Sequence, residues 1–305
     1  MNVNQERIAK LQQEMQLAGI DVYLVPTADF HQSEYVGDYF KARAWLSGFT
    51  GSAGTLIVTK NEARLWTDGR YFIQAGKQLA GTGVTLMKMG EEGVPTVEEF
   101  IEEVLPQKGC LGCDGRTISV AEGRKYEELL EKKEGTFKCQ DDLAGKIWSD
   151  RPQMSKEPVY ILDVKYAGET REEKIARVRR EMEEAGAQIH VISSLDDIVW
   201  LLNIRGNDIE YNPVVLSYVI LTMDQVHFYV QEEAVSSKVR EELEKAGVVL
   251  HPYFQVYEDV KKLEDSQKVM LEDLCTNYSL YKNIPQKREI IFRPNPAAIF
   301  KGNKN

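Results

Sequence analysis

Five residues with metal-binding side chains occur in the order found in dinuclear metallohydrolases: two aspartates, one histidine and two glutamates. They are Asp197, Asp208, His251, Glu258 and Glu272. The order lacks supporting context, because Asp196 and Asp197 precede an apolar run, where an aspartate more simply caps a helix. Asp208 lies in a segment with the composition of a turn. We therefore expect no metal site and no catalytic residue among them.

Three other patterns that resemble chemical motifs are better explained structurally. Residues 48–54 (GFTGSAG) lack the Gly-Lys-Ser/Thr ending of a phosphate loop and lead into a strand, so we expect a tight turn with close backbone approach. Cys110 and Cys113 have the spacing of half a zinc knuckle without a second pair, and we expect them to pack as small hydrophobic residues. The four histidines have no Ser or Cys nucleophile signature near them, and His190 and His227 fall within apolar strands.

One polar motif, Asp68-Gly69-Arg70, directly follows an apolar strand. An arginine held at the end of a strand by a glycine turn is able to offer two parallel donors to a carboxylate, or one to a peptide carbonyl. Alternatively, Asp68 and Arg70 tie down the turn and the helix that follows. The residue types alone leave both interpretations open.

The elements that position these residues occur twice in the chain. Residues 7–19 (RIAKLQQEMQLAG) return as residues 174–186 (KIARVRREMEEAG). Each copy continues with an apolar strand, a Trp-Leu pair followed by a glycine, and two further apolar strands around a short turn. This internal repeat predicts a duplicated α/β domain. At the position of Asp68-Gly69-Arg70 the second copy has residues 229–233 (YVQEE), so the motif belongs to the first copy.

Caps and apolar periodicity predict the remaining helices. Thr170 and Glu173 fit a capping box, and Gly19 and Gly186 suit left-handed positions at helix ends. The C-terminal residues 292–305 contain two prolines and are predicted to form an extended strip. Further helices are predicted at residues 71–79, 96–104, 121–132, 236–246 and 256–263.

Length and composition are typical of an ordinary globular protein with two domains. The chain has 305 residues, 43% of them hydrophobic, and a proline-containing polar segment at 148–158 marks the boundary. We therefore predict domains at 1–157 and 158–305. A net charge of −10 argues against nucleic-acid binding. Without an apolar segment of membrane-spanning length or a signal-peptide core near residue 1, we expect a cytoplasmic protein with no membrane partner.

Longer segments resemble the N-terminal region of cytosolic three-domain Xaa-Pro aminopeptidases (aminopeptidase P), which are pita-bread metallopeptidases of the creatinase/prolidase type. The resemblance covers essentially the whole chain. It implies an α/β fold of two tandem creatinase N-terminal-type domains, each a mixed β-sheet flanked by helices with a ribonuclease H-like motif. The segments are residues 25–35, 45–55, 66–75, 146–152, 195–206 and 211–214.

The resemblance also implies a function. Such enzymes remove the residue that precedes proline from short peptides with proline at position two, using two Mn²⁺ ions held in a pita-bread domain that is absent after residue 305. The two domains of this chain would then gate substrate access and support assembly, including a homodimer of the full-length enzyme, and the 305 residues alone would be inactive. The alternative is a non-catalytic peptide-binding or protein-interaction module of the same fold.

The resemblance assigns one substrate-binding residue. In family members the arginine of the Asp-Gly-Arg motif contacts the bound peptide, so this role passes to Arg70. His31, Phe49 and Tyr71 are weaker candidates for lining the same cleft.

Overall fold

A computed structural model describes residues 2–264 and 266–302 of the chain. Its contacts divide the chain into two compact units. The first unit comprises the residues up to Phe30 together with Asp38–Gln153, and the second comprises His31–Gly37 together with the residues from Met154 onward. The division after Gln153 lies close to the predicted boundary at residue 157. His31–Gly37, which the sequence analysis included in the first domain, groups with the second unit.

The first unit is built on a six-stranded mixed sheet with strand order β4-β3-β2-β1-β5-β6. Strand β2 is antiparallel to its neighbours β1 and β3, and the remaining pairs are parallel. The strands are β1 Val22–Pro26, β2 Thr55–Thr59, β3 Ala63–Thr67, β4 Val84–Lys88, β5 Cys110–Cys113 and β6 Thr136–Lys138. The helices are α1 Val3–Ala18, α2 Ala42–Ser47, α3 Phe72–Gln78, α4 Val97–Val104, α5 Val120–Lys132 and α6 Leu143–Ile147.

The second unit repeats this plan with strand order β12-β11-β10-β8-β13-β14, in which β10 is the antiparallel strand. A separate two-stranded ribbon pairs β7 with β9. The strands are β7 Tyr160–Ile161, β8 Ile189–Ile192, β9 Ile204–Arg205, β10 Ser217–Thr222, β11 Val226–Val230, β12 Val248–Pro252, β13 Val269–Leu271 and β14 Ile290–Phe292. The helices are α7 Val164–Ala167, α8 Arg171–Glu184, α9 Leu195–Leu201, α10 Ser237–Lys245, α11 Val256–Asp259, α12 Tyr278–Asn283 and α13 Pro296–Gly302. The predicted duplication and the predicted mixed α/β fold are confirmed.

The repeated helices α1 and α8 begin and end as their sequences require. Thr170 and Glu173 form the predicted capping box of α8. Gly19 caps α1 with φ of 65°, and Gly186 follows the cap of α8 with φ of 71°, both in the left-handed region that glycine favours. The apolar stripe of α1 joins side chains of β2 and β3 in one buried cluster. In the first unit, α1 therefore packs against one face of the sheet.

The structure corrects two local predictions. Residues 292–305 are not one extended strip, because strand β14 ends at Phe292 and Pro296 begins helix α13, where a proline is favoured at the first helical position. Residues 303–305 of that prediction lie outside the described ranges. The other error concerns α9, whose N-cap is Ser194 and not an aspartate. Asp196 and Asp197 lie in the first turn of α9, and their acidic groups are favoured there by the helix dipole.

The other predicted helices are confirmed with small changes in their ends. Residues 71–79 form α3 after a 3-10 turn at Gly69–Tyr71, and residues 256–263 form α11 followed by a 3-10 turn at Val260–Lys262. Within residues 2–264 and 266–302, no helix has an apolar stretch of the length that a bilayer span requires.

Candidate functional site

The Asp-Gly-Arg motif lies at one edge of the first sheet. Strands β1, β3 and β5 run in the same direction, so their carboxyl ends meet at this edge. Because β2 is antiparallel to them, the glycine-rich loop at residues 48–54 enters β2 at the same edge. We call residues 48–54 and 68–71 the first-sheet carboxyl edge. It contains three of the four residues that the sequence analysis assigned to substrate binding: Phe49, Arg70 and Tyr71.

A buried arginine fixes the glycine-rich loop. Arg43 of α2 is 3% exposed, and its Nη1 and Nη2 atoms each donate a hydrogen bond of 2.5 Å, to the backbone oxygens of Phe49 and Gly51 respectively. Its Nε donates to Thr27 Oγ1 at 2.9 Å. Burial lowers the pKa of the Arg43 guanidinium to about 10, so the group is still charged at neutral pH. The backbone of the glycine-rich loop is therefore bound from the interior of the unit by the charged Arg43 side chain.

The outer side of the loop is fastened to helix α3. The amide oxygen of Gln78 accepts a hydrogen bond of 3.0 Å from the Thr50 backbone nitrogen, and the Gln78 amide donates to Thr50 Oγ1 at 2.9 Å. Gln74 also donates to Thr50 Oγ1, at 3.1 Å. These bonds tie the loop to the helix that follows the Asp-Gly-Arg motif. The interpretation of residues 48–54 as a tight structural turn is thus supported by bonds on both of its sides.

Two aromatic rings fill the space between the loop and the motif. Phe49 is fully buried, and its ring meets the Tyr71 ring edge to face with centroids 5.7 Å apart. The Tyr71 hydroxyl lies 2.6 Å from Ser52 Oγ. A Cβ on Gly51 would collide with the Phe49 ring and lie 2.8 Å from Tyr71 Cδ1, so only glycine fits at this position. Phe49 therefore supports the site from within, while Tyr71 is partly exposed on it.

Arg70 is presented outward from this support. The Asp68 carboxylate accepts hydrogen bonds from Arg70 Nε at 2.8 Å and Arg70 Nη2 at 2.9 Å, which is the bidentate arrangement of an arginine–carboxylate pair. Asp68 also accepts from the Arg70 backbone nitrogen at 3.0 Å and so caps the 3-10 turn. The hydrogen bond from the Arg70 side chain lowers the pKa of Asp68 to about 2. The Arg70 side chain is nevertheless 70% exposed, and its guanidinium lies 5.3 Å from the centroid of the Tyr71 ring.

A second Asp-Gly-Arg sequence, which the sequence analysis missed, follows β5 at the same edge. Asp114 accepts from Arg116 Nε at 2.9 Å and from Arg116 Nη2 at 2.8 Å, as in the first motif. Arg116 is only 25% exposed, because its guanidinium also stacks on Phe30 at 4.3 Å and lies 3.5 Å from Asp142. The Asp-Gly-Arg motif therefore occurs twice in the first half of the chain, at residues 68–70 and 114–116. The two arginines share a local geometry and differ in whether the guanidinium faces solvent or the interior.

His31 belongs to the second unit and is buried there. Its Nδ1 lies 3.0 Å from the Ser193 backbone oxygen, and its Nε2 lies 2.6 Å from the Tyr253 hydroxyl. The ring is 2% exposed and lies 4.4 Å from the ring of Tyr218. These contacts hold the His31 ring within the second unit. That His31 lines the same cleft as Arg70 stays a prediction.

The residues that follow the order of dinuclear metal ligands do not fit a metal site. The Asp197 carboxylate accepts from Asn295 Nδ2 and Lys301 Nζ, both at 2.8 Å. The Asp208 carboxylate accepts from the backbone nitrogens of Leu216 at 2.7 Å and Glu157 at 3.2 Å. Within residues 2–264 and 266–302, no three His, Cys, Asp or Glu side chains are grouped to hold a metal ion. Both carboxylates instead fasten segments of the second unit together.

Cys110 and Cys113 pack as small hydrophobic residues, as the sequence predicts. Cys110 and Cys113 begin and end strand β5, and both are buried with free thiols. Burial raises the pKa of the Cys113 thiol, so the thiol stays protonated at neutral pH. This is the state of a packed side chain and not of a reactive thiolate.

Comparison with known proteins gives the same family for both halves. Residues 7–144 match a family model described as the creatinase/prolidase N-terminal domain. Residues 150–305 match a second model with the same description.

Several relatives match most of this chain and a smaller part of themselves. Aminopeptidase P2 of Arabidopsis thaliana is 40% identical over 85% of this chain and 37% of its own length. A protein named probable Xaa-Pro aminopeptidase P from Penicillium rubens is 37% identical over 98% of this chain and 50% of its own length. The crystal structure of X-prolyl aminopeptidase from Caenorhabditis elegans, described as a cytosolic enzyme with a di-nuclear active site, superposes with a TM-score of 0.93. That enzyme is 33% identical, and the match covers 100% of this chain and 52% of the enzyme. The chain thus spans about half the length of these relatives or less.

Proposed function

The chain belongs to the creatinase/prolidase N-terminal domain family, and we propose that it is the N-terminal, non-catalytic region of an Xaa-Pro aminopeptidase. The relatives with aminopeptidase P names support the proposal, since one is 40% identical over 85% of the chain and another is 37% identical over 98% of it. The proposed substrates are short peptides with proline at position two. The proposed location is the cytoplasm, as for the similar enzyme of Caenorhabditis elegans.

The proposed role of this region is to gate the access of peptide and to support assembly of the longer enzyme, including a homodimer. Its two domains, proposed at 1–157 and 158–305, would carry no peptide cleavage by themselves. The internal hydrogen bonds of Asp197 and Asp208 support this, because each carboxylate already holds two donors of the second unit. We therefore expect the 305 residues to release no amino acid from an Xaa-Pro peptide when Mn²⁺ is supplied.

Arg70 is the proposed substrate-binding residue. The observation that carries this proposal is an exposed guanidinium on a rigid support. Asp68 orients the guanidinium through two hydrogen bonds, while the loop below it is held by Arg43. An oriented arginine loses less side-chain entropy when it binds, because its planar group is already in place. A peptide carbonyl or carboxylate is the group that such an arginine recognises best.

The second Asp-Gly-Arg motif supports the choice of Arg70 over Arg116. Both arginines are held by an aspartate in the same way, so the hydrogen bonds of the turn do not distinguish them. Arg116 has Phe30 and Asp142 as additional neighbours, which accounts for it as a structural residue. Arg70 is 70% exposed, against 25% for Arg116, which leaves it accessible to a ligand.

Steady-state kinetics of the longer enzyme test this role. Loss of a hydrogen bond from a charged group costs about 1.5 to 3 kcal/mol, so Arg70→Ala should lower kcat/KM for an Xaa-Pro tripeptide by about 10- to 150-fold. Lys77→Ala is the matched control, because Lys77 is an exposed cation on the helix that follows the motif. Its kcat/KM should stay within about twofold of the unmodified enzyme. An unchanged kcat/KM in Arg70→Ala would remove Arg70 from the substrate site.

A peptide-binding module without hydrolysis is the second candidate function. It is supported by the same observation, the exposed Arg70 guanidinium held by Asp68, because binding a peptide requires no catalytic group. The two candidate functions differ in whether the longer protein cleaves the peptide that it binds. A longer protein that binds an Xaa-Pro peptide in a fluorescence titration but releases no amino acid from it with Mn²⁺ present would favour the module.

A further inference from the structure

Two half-buried histidines of the second unit lie on the same face of its sheet. Strands β11 and β12 are parallel, with His227 opposite Val249 and Tyr229 opposite His251. Alternate residues of a strand point to the same face, so these four side chains share one side. Strand β12 is the edge strand of the sheet, and Val249 is 39% exposed. This face is therefore accessible to a small ion.

The two imidazoles approach each other through their nitrogens. His227 Nδ1 lies 3.0 Å from His251 Nε2, and the ring centroids are 5.1 Å apart. The Tyr229 ring stacks on His251 at 4.8 Å, and its hydroxyl donates to Asp259 Oδ2 at 3.2 Å. The His251 ring is thus held in place by a neighbour that is itself anchored.

The spacing of these nitrogens is that of two ligands on one metal ion. With imidazole nitrogens at about 2.0–2.1 Å from the metal, two ligands are about 2.9 Å apart at the right angle of a square-planar Cu²⁺ site. At the tetrahedral angle of a Zn²⁺ site they are about 3.3 Å apart, so the observed 3.0 Å lies between the two geometries. A hydrogen bond between the rings requires a lone pair on one of the two nitrogens, whereas shared coordination of a metal ion requires a lone pair on both. Burial lowers the pKa of both His227 and His251, which favours the neutral rings that bind metals. The carboxylate of Asp259 adds a negative charge close to both rings.

We propose that His227 and His251 form a two-histidine binding site for a divalent transition-metal ion, with water as the remaining ligands. Imidazole suits Zn²⁺, Ni²⁺ and Cu²⁺ and not the hard cations Mg²⁺ or Ca²⁺. The ion would bridge β11 to the edge strand β12. This site differs from the residues that follow the dinuclear ligand order, since it uses only His251 from that set and takes no carboxylate.

The small number of histidines allows the proposed metal site to be tested in the 305-residue chain. The chain has four histidines, and His31 and His190 are buried with both ring nitrogens within hydrogen-bond distance of oxygen atoms. Histidine-dependent binding of a metal by the folded chain must therefore come from His227 and His251. The protein for this test has to be prepared without a polyhistidine tag.

Calorimetric titration with CuCl₂ and ZnCl₂ should give one site per chain, with tighter binding of Cu²⁺ than of Zn²⁺. His227→Gln and His251→Gln should each weaken the affinity for Cu²⁺ by at least about tenfold, because one of two protein ligands is lost. Cys275→Ser is the control for a thiol ligand, since Cys275 is the free cysteine that is not fully buried, and it should bind as the unmodified chain does.

Electron paramagnetic resonance of the Cu²⁺ complex provides a second measurement that needs no variant. Its nitrogen couplings should report two imidazole ligands in the unmodified chain. Absence of binding to the unmodified chain, or an affinity that both histidine variants retain, would overturn the proposal. The 3.0 Å approach would then be an ordinary hydrogen bond between two rings.

Discussion

The two Asp-Gly-Arg motifs predict that the same substitution, arginine to alanine, lowers stability by very different amounts. Arg116→Ala removes two hydrogen bonds to Asp114, which is 8% exposed, and the packing of the guanidinium on Phe30. Arg70→Ala removes the same two hydrogen bonds from a pair that faces solvent. Burial is therefore the main difference between the two changes.

The expected magnitudes follow from that difference. Breaking a buried ion pair by removing one partner costs about 3 to 5 kcal/mol, and the 25% exposure of Arg116 places its variant at the lower end, near about 3 kcal/mol. An exposed ion pair contributes about 0 to 1 kcal/mol, so Arg70→Ala should change the free energy of unfolding by less than about 1 kcal/mol.

Thermal unfolding of the 305-residue chain, followed by tryptophan fluorescence, measures both changes. Three of the four tryptophans, Trp45, Trp66 and Trp148, lie in the first unit and report mainly its unfolding. At about 2–4 °C per kcal/mol, Arg116→Ala should lower the midpoint by roughly 6–12 °C, and Arg70→Ala by at most about 4 °C. Equal losses in the two variants would contradict this prediction, since burial would then not distinguish the stabilising effects of the two arginines.

Two further predictions concern the support of Arg70. Arg43→Met should destabilise the first unit by about 2 to 4 kcal/mol, because it leaves the buried carbonyls of Phe49 and Gly51 without their donor, and the same thermal assay measures it. Asp68→Asn tests the lowered pKa of Asp68: the stabilisation by its carboxylate should be constant above about pH 4 and disappear as the pH falls toward 2. The difference in unfolding midpoint between the unmodified chain and Asp68→Asn should therefore narrow below pH 4. A difference that widens there would contradict the ion pair between Asp68 and Arg70.

Much of the fold was predictable because each local signal occurs in both repeats. The helix stripe, its glycine end and the apolar strand after it appear once around residues 7–25 and again around residues 174–192, so each copy supports the assignment of the other. Helix ends depend on local caps and were predicted within a few residues. The C-terminal helix α13 was missed because the prolines at residues 294 and 296 suggest an extended chain, whereas Pro296 lies at the helix start, where its ring is tolerated.

The site was only partly predictable, because its supporting residues act through contacts that are distant in sequence. Arg43 resembles an exposed helix residue in the sequence, yet it binds the carbonyls of residues 49 and 51 from inside the fold. His31 lies beside the first-domain motifs in the sequence but finds its partners more than 160 residues away, in Ser193 and Tyr253. The second Asp-Gly-Arg motif, at residues 114–116, could have been predicted from the sequence alone, because a search for the repeated tripeptide finds it.

A crystal structure of the proposed longer enzyme with an Xaa-Pro peptide analogue bound would show whether Arg70 contacts the peptide. We predict that the Arg70 guanidinium donates to a peptide oxygen at hydrogen-bond distance, about 2.7–3.2 Å, while Asp68 still accepts hydrogen bonds on its other side. A bound analogue with Arg70 bonded to Asp68 alone and no peptide atom within reach would contradict it.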